Sequence, residues 1–333
     1  MRILVTGGAG FIGSHVVDTY LAAGHEVVVA DDLSTGRRAN VNRGADFFPV
    51  DLTSPQLAVL FLERRFDVVN HHAAQVDVRR SVEDPGRDEA VNIGGTVRLL
   101  ELCRRHGVGG IIFSSTGGAI YGERVPMPTP EDAPARPLSP YGIGKLAAER
   151  YVDYYQMVHG IPSVILRYAN VYGPRQDPQG EAGVVAIFCQ RLLRGETLTV
   201  YGDGEQTRDF VYVGDVAAAN LRALDWLERG GGNGHGPAII NIGTRRETSV
   251  NELAKRLAIL RGQAPAIRYA AARPGEQRRS AVDPARALTV LGWTPGTSLD
   301  EGLGLTLDWF AQQISAPAGR RPVAAGLESG ARA

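Results

Sequence analysis

Apolar and polar positions along the first half of the chain fall into two alternating patterns. Short, nearly continuous apolar runs end in glycine or an acidic residue. Longer segments, with apolar positions every third or fourth residue, follow them. Arg2 to Thr6 and Glu26 to Ala30 are runs of the first kind. Between them lies helical periodicity from Phe11 to Ala23, which stops at Gly24-His25. The same reading predicts further strands at Ala45–Val50, Asp67–Asn70, Gly110–Ser114 and Ser163–Arg167, and helices at Gln56–Arg65, Ala90–His106 and Leu146–Val158. Continuous rather than alternating apolar runs mean strands covered on both faces. Regular alternation of strand and helix therefore predicts an α/β fold, a Rossmann-like doubly wound parallel sheet with helices on both sides. Ligands on such a sheet sit beyond the carboxyl ends of the strands, near a switch point.

The second half reads as a smaller α/β region. Helices are predicted at Gly183–Leu193, Asp215–Leu227 and Val250–Arg261, and short strands at Leu198–Tyr201, Ile239–Gly243 and Ile267–Ala271. After Ile314 the periodicity stops. Pro317, Gly319, Arg320, Arg321, Pro322 and Gly330 predict a disordered tail over 315–333.

Composition narrows the function classes. The 36 basic and 36 acidic residues among 333 cancel, which argues against a general nucleic-acid or membrane-surface role. No apolar run approaches the ~18 residues of a membrane span. Met1-Arg2 leads directly into a strand, so no signal peptide is expected. The only cysteines, Cys103 and Cys189, lie in apolar helical patterns, as buried thiols do in a reducing cytoplasm.

The candidate chemistry gathers at predicted strand ends. Gly7-Gly8-Ala9-Gly10-Phe11-Ile12-Gly13 joins the first strand to the first helix and matches G-x-G-x-x-G through Gly8, Gly10 and Gly13. Missing side chains let the backbone approach a pyrophosphate at a helix N-terminus, where unpaired N–H groups favour anions. Asp31, ending the second strand, would accept from adenosine ribose hydroxyls and repel a 2′-phosphate, favouring NAD over NADP. Arg37 and Arg38 read as a solvated loop, although a basic pair there could hold such a phosphate. Asp51-Leu52, after the third strand, would sit beside the adenine. His71 and His72 are adjacent, but no partner has ligand spacing, so no metal is expected.

Tyr141 and Lys145, one helical turn apart, share a helix face. Lowering a phenol pKa from ~10 to ~7 needs about 4 kcal/mol, and a neighbouring ammonium supplies part of it. A second positive charge, such as an oxidised nicotinamide, would supply more.

Taken in order, these motifs resemble the extended short-chain dehydrogenase/reductase family, NAD-dependent epimerase/dehydratase type, and within it the nucleotide-sugar epimerases of the UDP-glucose 4-epimerase type. The residues that carry the resemblance are Thr6 to Gly13, His72-Ala73-Ala74-Gln75, Phe113-Ser114-Ser115-Thr116, Tyr121-Gly122, Tyr141 with Lys145, Leu166 to Arg175, Arg208-Asp209-Phe210-Val211 and Arg273-Pro274-Gly275-Glu276. The resemblance implies a homodimeric NAD enzyme acting on a UDP-sugar. Residues 1–173 would form the NAD-binding domain with the catalytic helix, and 174–314 a sugar-nucleotide region interleaved with it. Tyr141 would be the general base and acid, Lys145 would hold the nicotinamide ribose, and Thr116 would share the sugar proton, with Ser115 as the competing hydroxyl. Gly7, Gly10, Phe11, Ile12, Gly13, His72, Ala74, Asn92 and Tyr168 would line the cofactor. Asn170, Arg208, Arg273 and Ser280 would contact the substrate.

The implied reaction inverts C4 through a 4-keto sugar. Related dehydratases carry Asp-Glu directly after the threonine, whereas Gly117-Gly118 stands here, which counts against dehydration. Epimerisation or decarboxylation of UDP-glucuronate shares the tyrosine, lysine and threonine, and a non-catalytic dinucleotide sensor would share the fold. The small Ser280 implies room for an N-acetyl group. The helices over Ala90–His106 and Leu146–Val158 resemble the family's dimer-forming pair.

Overall fold

The computed structural model of the chain describes residues 1–315 apart from 124, 180–182, 233, 235, 263, 265 and 273–276. The expected tail and Arg273 lie outside the described residues. In the first half, β1 (Arg2–Thr6), α1 (Phe11–Ala22), β2 (Glu26–Asp31), β3 (Asp46–Pro49), α2 (Gln56–Glu63) and β4 (Val68–His71) follow one another. Two short helices, α3 (Val78–Glu83) and α4 (Pro85–Glu89), lead through a wide π turn at Ala90–Gly95 into α5 (Thr96–Arg105). Then come β5 (Gly110–Thr116), α6 (Pro140–His159) and β6 (Ser163–Tyr168).

The predicted helix over Ala90–His106 is thus divided. Its first turn widens around buried Asn92, and two capped turns precede it. Asp77 accepts from the N–H groups of Arg79 and Arg80, and Asp84 from that of Arg87, with Pro85 at the first helical position. Those caps are legible in the sequence, but the turns they open are too short to show a period.

Beyond β6 the chain forms β7 (Asn170–Tyr172), α7 (Val184–Leu193), β8 (Leu198–Tyr201), β9 (Thr207–Arg208), β10 (Phe210–Tyr212), α8 (Val213–Glu228) and β11 (Ala238–Ile242). It ends with β12 (Thr248–Ser249), α9 (Val250–Leu260), β13 (Ile267–Ala270), β14 (Arg279–Ser280), α10 (Ala285–Leu291) and α11 (Leu299–Ser315). Periodicity does not announce the last helix, because Gly302 and Gly304 interrupt its pattern. At Gly302 a Cβ would collide with the Tyr172 ring, so close packing is what places a poor helix former there.

Seven strands form the main sheet in the order β3-β2-β1-β4-β5-β6-β11, and every pairing is parallel. The order reverses between β1 and β4, which opens a crevice at their carboxyl ends. β11 joins this sheet beside β6, with Ala238 opposite Val164 and Ile242 opposite Tyr168. Two apolar cores cover the faces. One includes Val16, Val17 and Tyr20 of α1 with Val216 and Leu224 of α8. The other includes Leu57 of α2, Leu99 and Cys103 of α5, and Val152 of α6. A third core, with Phe188, Leu253, Leu257 and Phe310, lies under the smaller region. That region pairs β8 with β13, and β9 with both β12 and β14.

One buried ion pair ties the carboxyl end of the sheet together. Arg167 of β6 donates to both carboxylate oxygens of Glu149 on α6, at 2.9 and 2.6 Å, and each side chain is at most 3% exposed. Ser115 of β5 donates to the same carboxylate at 2.6 Å, and Arg167 also donates to Tyr121 Oη. Burial pushes the Arg167 guanidinium down, but its bonds and charge contact with Glu149 outweigh this and leave it raised. Breaking such a pair costs more than the pair contributes, because the remaining charge is stranded. Glu149→Gln is expected to lose about 3–5 kcal/mol in urea unfolding, and joint replacement by Glu149→Leu and Arg167→Met far less. A Glu149→Gln loss as small as that of the double variant would show that the pair does not clamp the fold.

Candidate active site

The turn after β1 is built as a dinucleotide cradle. Gly7 has φ +70°, and a Cβ there would fall 2.6 Å from the Ala73 nitrogen in the loop after β4. A Cβ on Gly13 would overlap the Gly7 carbonyl oxygen, and one on Gly10 would approach it to 3.1 Å. Side chains are thus excluded where the backbone must come close to a phosphate, at the start of α1. Phe11 sets its ring edge-on to His15, and Ile12 packs on the core below α1.

At the end of β2 the Asp31 carboxylate accepts the N–H of Ala9 at 3.0 Å and that of Leu33 at 2.8 Å. Burial raises its pKa, and these two N–H groups oppose the rise. A carboxylate has about four acceptor sites, so two ribose hydroxyls still fit. Arg37 reaches Asp177 at 3.4 Å, and Arg38 lies over the Phe47 ring at 4.6 Å. Both arginines have protein partners. Asp51 accepts from the N–H and hydroxyl of Thr53 in its own turn, while Leu52 is buried against Gly95. The cradle, the buried acid and the neighbouring lysine fit NAD.

The loop after β4 carries His72 and Ala74. His71 is a core residue whose ring nitrogens lie 2.7 Å from Thr6 Oγ1 and 3.0 Å from Thr96 Oγ1. His72 stacks on Tyr168 with ring centroids 6.2 Å apart, and burial lowers its pKa to about 3, so it is neutral. Tyr168, at the end of β6, exchanges hydrogen bonds with Asn220. Asn92 clamps the loop from the π turn, accepting from the Gln75 N–H and donating to its carbonyl, each at 2.9 Å.

Tyr141 and Lys145 stand in the first turns of α6. Ser139 caps the helix through the Gly142 N–H, and Pro140 opens it, as this sequence pair specifies. Ser81 of α3 accepts the Tyr141 N–H at 3.1 Å, a contact no local pattern announces. Lys145 is buried, with Nζ 4.4 Å from the Phe113 ring centroid. Burial lowers its pKa to about 8, against the charges of Glu149 and Asp88, which raise it. It is therefore a cation at neutral pH, and one that can lose its proton just above. Ser115 is committed to Glu149, whereas Thr116 is half-buried at the strand end. Of the two hydroxyls, that of Ser115 already has a buried carboxylate partner.

The smaller region brings Arg208 and Ser280 into register on paired strands β9 and β14. Ser280 is buried, and Arg208 donates to the Thr207 carbonyl. Asn170 begins β7, and its Oδ1 is buried with no hydrogen-bond partner among the described residues. Asp209, whose position in the sequence predicts no role, is a buried organising residue of the smaller region. Its carboxylate accepts from Thr244, Arg245 and Val282 and so pins β9 against the loop after β11.

A model of the NAD dependent epimerase/dehydratase family matches residues 3–243. A protein of Methanocaldococcus jannaschii described as a putative UDP-glucose 4-epimerase is 46% identical over 311 residues, covering 92% of this chain and 98% of that one. The crystal structure of UDP-glucose 4-epimerase with UDP-glucose from Thermotoga maritima superposes with a TM-score of 0.90 at 47% identity, covering 94% of this chain and 100% of that one. That of the UDP-glucose 4-epimerase complex with NAD from Thermus thermophilus gives 0.86 at 47% identity, over 93% and 99%.

Two outcomes follow from the geometry. Gly13→Ala should weaken NAD binding by at least about tenfold, read by calorimetry, since the cradle must open to admit a Cβ. A process that needs the Lys145 cation should hold below about pH 8 and fall as pH rises through it, and Lys145→Met should lose that alkaline limb.

Proposed function

Because the chain belongs to the NAD dependent epimerase/dehydratase family, we propose that it is a UDP-glucose 4-epimerase, which inverts C4 of a UDP-sugar through a 4-keto intermediate. The observation that carries this reading is buried Lys145 one turn from Tyr141 on α6, in a chain whose β5 ends at Thr116 with no acid after that threonine. Tyr141 takes the proton of the C4 hydroxyl and later returns it. Thr116 hydrogen-bonds the same oxygen and keeps it aligned with the phenol. Lys145 holds the nicotinamide ribose and favours the phenolate by its charge. NAD, when bound, supplies the acceptor and then the donor of the C4 hydride, so the reaction has no net redox. Arg208, with Arg273 and Asn170, holds the diphosphate and sugar, since a guanidinium offers phosphate a planar fork of donors. Gly117-Gly118 leave no acid to expel water from C5 and C6, which separates the reading from dehydration.

Ser280, buried opposite Arg208, is small enough to leave room for an N-acetyl group, so UDP-N-acetylglucosamine joins UDP-glucose as a substrate. A homodimer has support in α6, whose outer face exposes Ile143, Tyr151, Tyr154, Met157 and Val158. Tyr155 of that helix reaches Glu101 of α5, so the two helices would present one surface. No helix of the described residues is long and apolar enough to cross a membrane. Cys103 and Cys189 are buried free thiols, which suits the cytoplasm.

Purified protein incubated with UDP-glucose should yield UDP-galactose by NMR without net reduction of NAD. Turnover of UDP-glucuronate alone would move the assignment to the uronate epimerases or decarboxylases, and no turnover at all to a dinucleotide sensor. Tyr141→Phe should lose about 10²–10⁴-fold in turnover with NAD still bound, and full activity would reject the tyrosine. Thr116→Ala should cost far more turnover than the loss at Ser115→Ala that remains after correction for folded protein. Ser280→Tyr should lose the N-acetylated substrate selectively, and equal losses on both sugars would reject that pocket.

A further inference from the structure

The two glycines after Thr116 differ in why they are glycine. At Gly117 a Cβ would fall 2.7 Å from Val282 Cγ1, so packing excludes a side chain. At Gly118 a Cβ would meet only Asn170 Oδ1 at 3.5 Å and Thr116 Oγ1 at 3.8 Å, both ordinary contacts. Its φ lies outside the left-handed region. Neither packing nor backbone demands glycine at 118, although glycine carries an entropic cost in folding that alanine would reduce. The two atoms that face the missing side chain are polar. Asn170 Oδ1 is a buried acceptor with no hydrogen-bond partner among the described residues. Such an acceptor calls for a donor from outside the chain, and a sugar hydroxyl is one.

We propose that Gly118 is a specificity-determining position, whose missing side chain leaves open the space between Thr116 and Asn170 so that one site takes both C4 epimers of the sugar. The inference rests on the epimerase reading above. Inversion requires one carbon to be presented to one hydride acceptor by either face, so the ring must turn between the two transfers. As it turns, its hydroxyls and C6 arm sweep the wall beside Thr116. A side chain on that wall would complement one epimer and collide with the other, which is discrimination by exclusion. A bare backbone excludes neither, and Asn170 Oδ1 offers an acceptor to the hydroxyl that each orientation presents.

The test uses Gly118→Ala and Gly118→Leu in the full chain, each alone and combined with Tyr141→Phe to silence turnover. Calorimetry in the silenced background gives dissociation constants for UDP-glucose, UDP-galactose and UDP. The ratio of the two sugar constants is expected to move with side-chain size, by about tenfold or more for Gly118→Leu, with UDP itself bound as before. The melting temperature of Gly118→Ala should not fall, since its Cβ enters free space. In the unsilenced variants, net epimerisation should slow more than the first appearance of reduced nicotinamide on mixing with UDP-glucose. An unchanged ratio, or an equal loss for both sugars and for UDP, overturns the proposal while parent turnover stands. A parent chain that epimerises no UDP-sugar overturns the epimerase reading, and this proposal with it.

Discussion

The buried pair of Arg167 and Glu149 is the constraint on which the arrangement of the site depends. It joins α6, which carries Tyr141 and Lys145, to β6, which runs into Tyr168 and Asn170. Through Ser115 it also reaches β5, one residue before Thr116. Tyr141 and Thr116, which the proposed mechanism brings to one sugar oxygen, come from two of these elements, and sequence proximity does not hold them together. A carboxylate held bidentately by one guanidinium edge, through Nε and Nη2, and by a serine hydroxyl has no freedom to slide. The depth of the pair makes it costly to form in isolation, so it assembles only when sheet and helix are already packed. Tyr121 extends the network to Asn241 on β11, which brings the far edge of the sheet into the same frame.

Electrostatically, the crevice runs between a negative and a positive end. Asp31 keeps its carboxylate at the end of β2 by accepting two backbone N–H bonds. Lys145 keeps its charge under burial through the nearby Glu149 and Asp88. Between them lies the glycine turn at the start of α1. A dinucleotide matches that sequence of charges along its length: ribose hydroxyls, then pyrophosphate, then a ribose beside a lysine. The same depth of burial that enforces the match also narrows the pH range over which the lysine is a cation.

Much of this was legible in the sequence, because the features concerned are local. The strands of the main sheet are continuous apolar runs, and the glycine turn, Asp31 and the Tyr141–Lys145 spacing lie within or beside them. α6 starts at Pro140, ahead of the periodic run that begins at Leu146, because Ser139 caps it and Pro140 opens it. Features created by distant packing were not legible. That Ser115 turns to Glu149 and Thr116 does not follows from which face of β5 meets α6. The grip of Ser81 on the first turn of α6 joins residues far apart in sequence. Asn92 does lie near the cofactor loop, as its motif context implies, but the π turn that aims it is a tertiary adjustment around buried polar groups. Ile239–Gly243 reads as one more short strand of the second half. Only the open edge of β6 explains why it completes the main sheet.

That seventh strand has a consequence for motion. After β6 the chain leaves for β7 to β10, returns through α8 to supply β11, leaves again for β12 to β14, returns to pack α10 against β11 and α8, and ends with α11 in the smaller region. The smaller region is therefore stitched to the large sheet by several crossings rather than hung from one linker. Swinging it away as a rigid door would require every one of these crossings to flex at once. Substrate must enter and leave by rearrangement of loops around a fixed frame, so exchange should be governed by short segments at the crevice mouth. The frame itself should unfold as one cooperative unit, with no stage at which the sheet survives without its partner region.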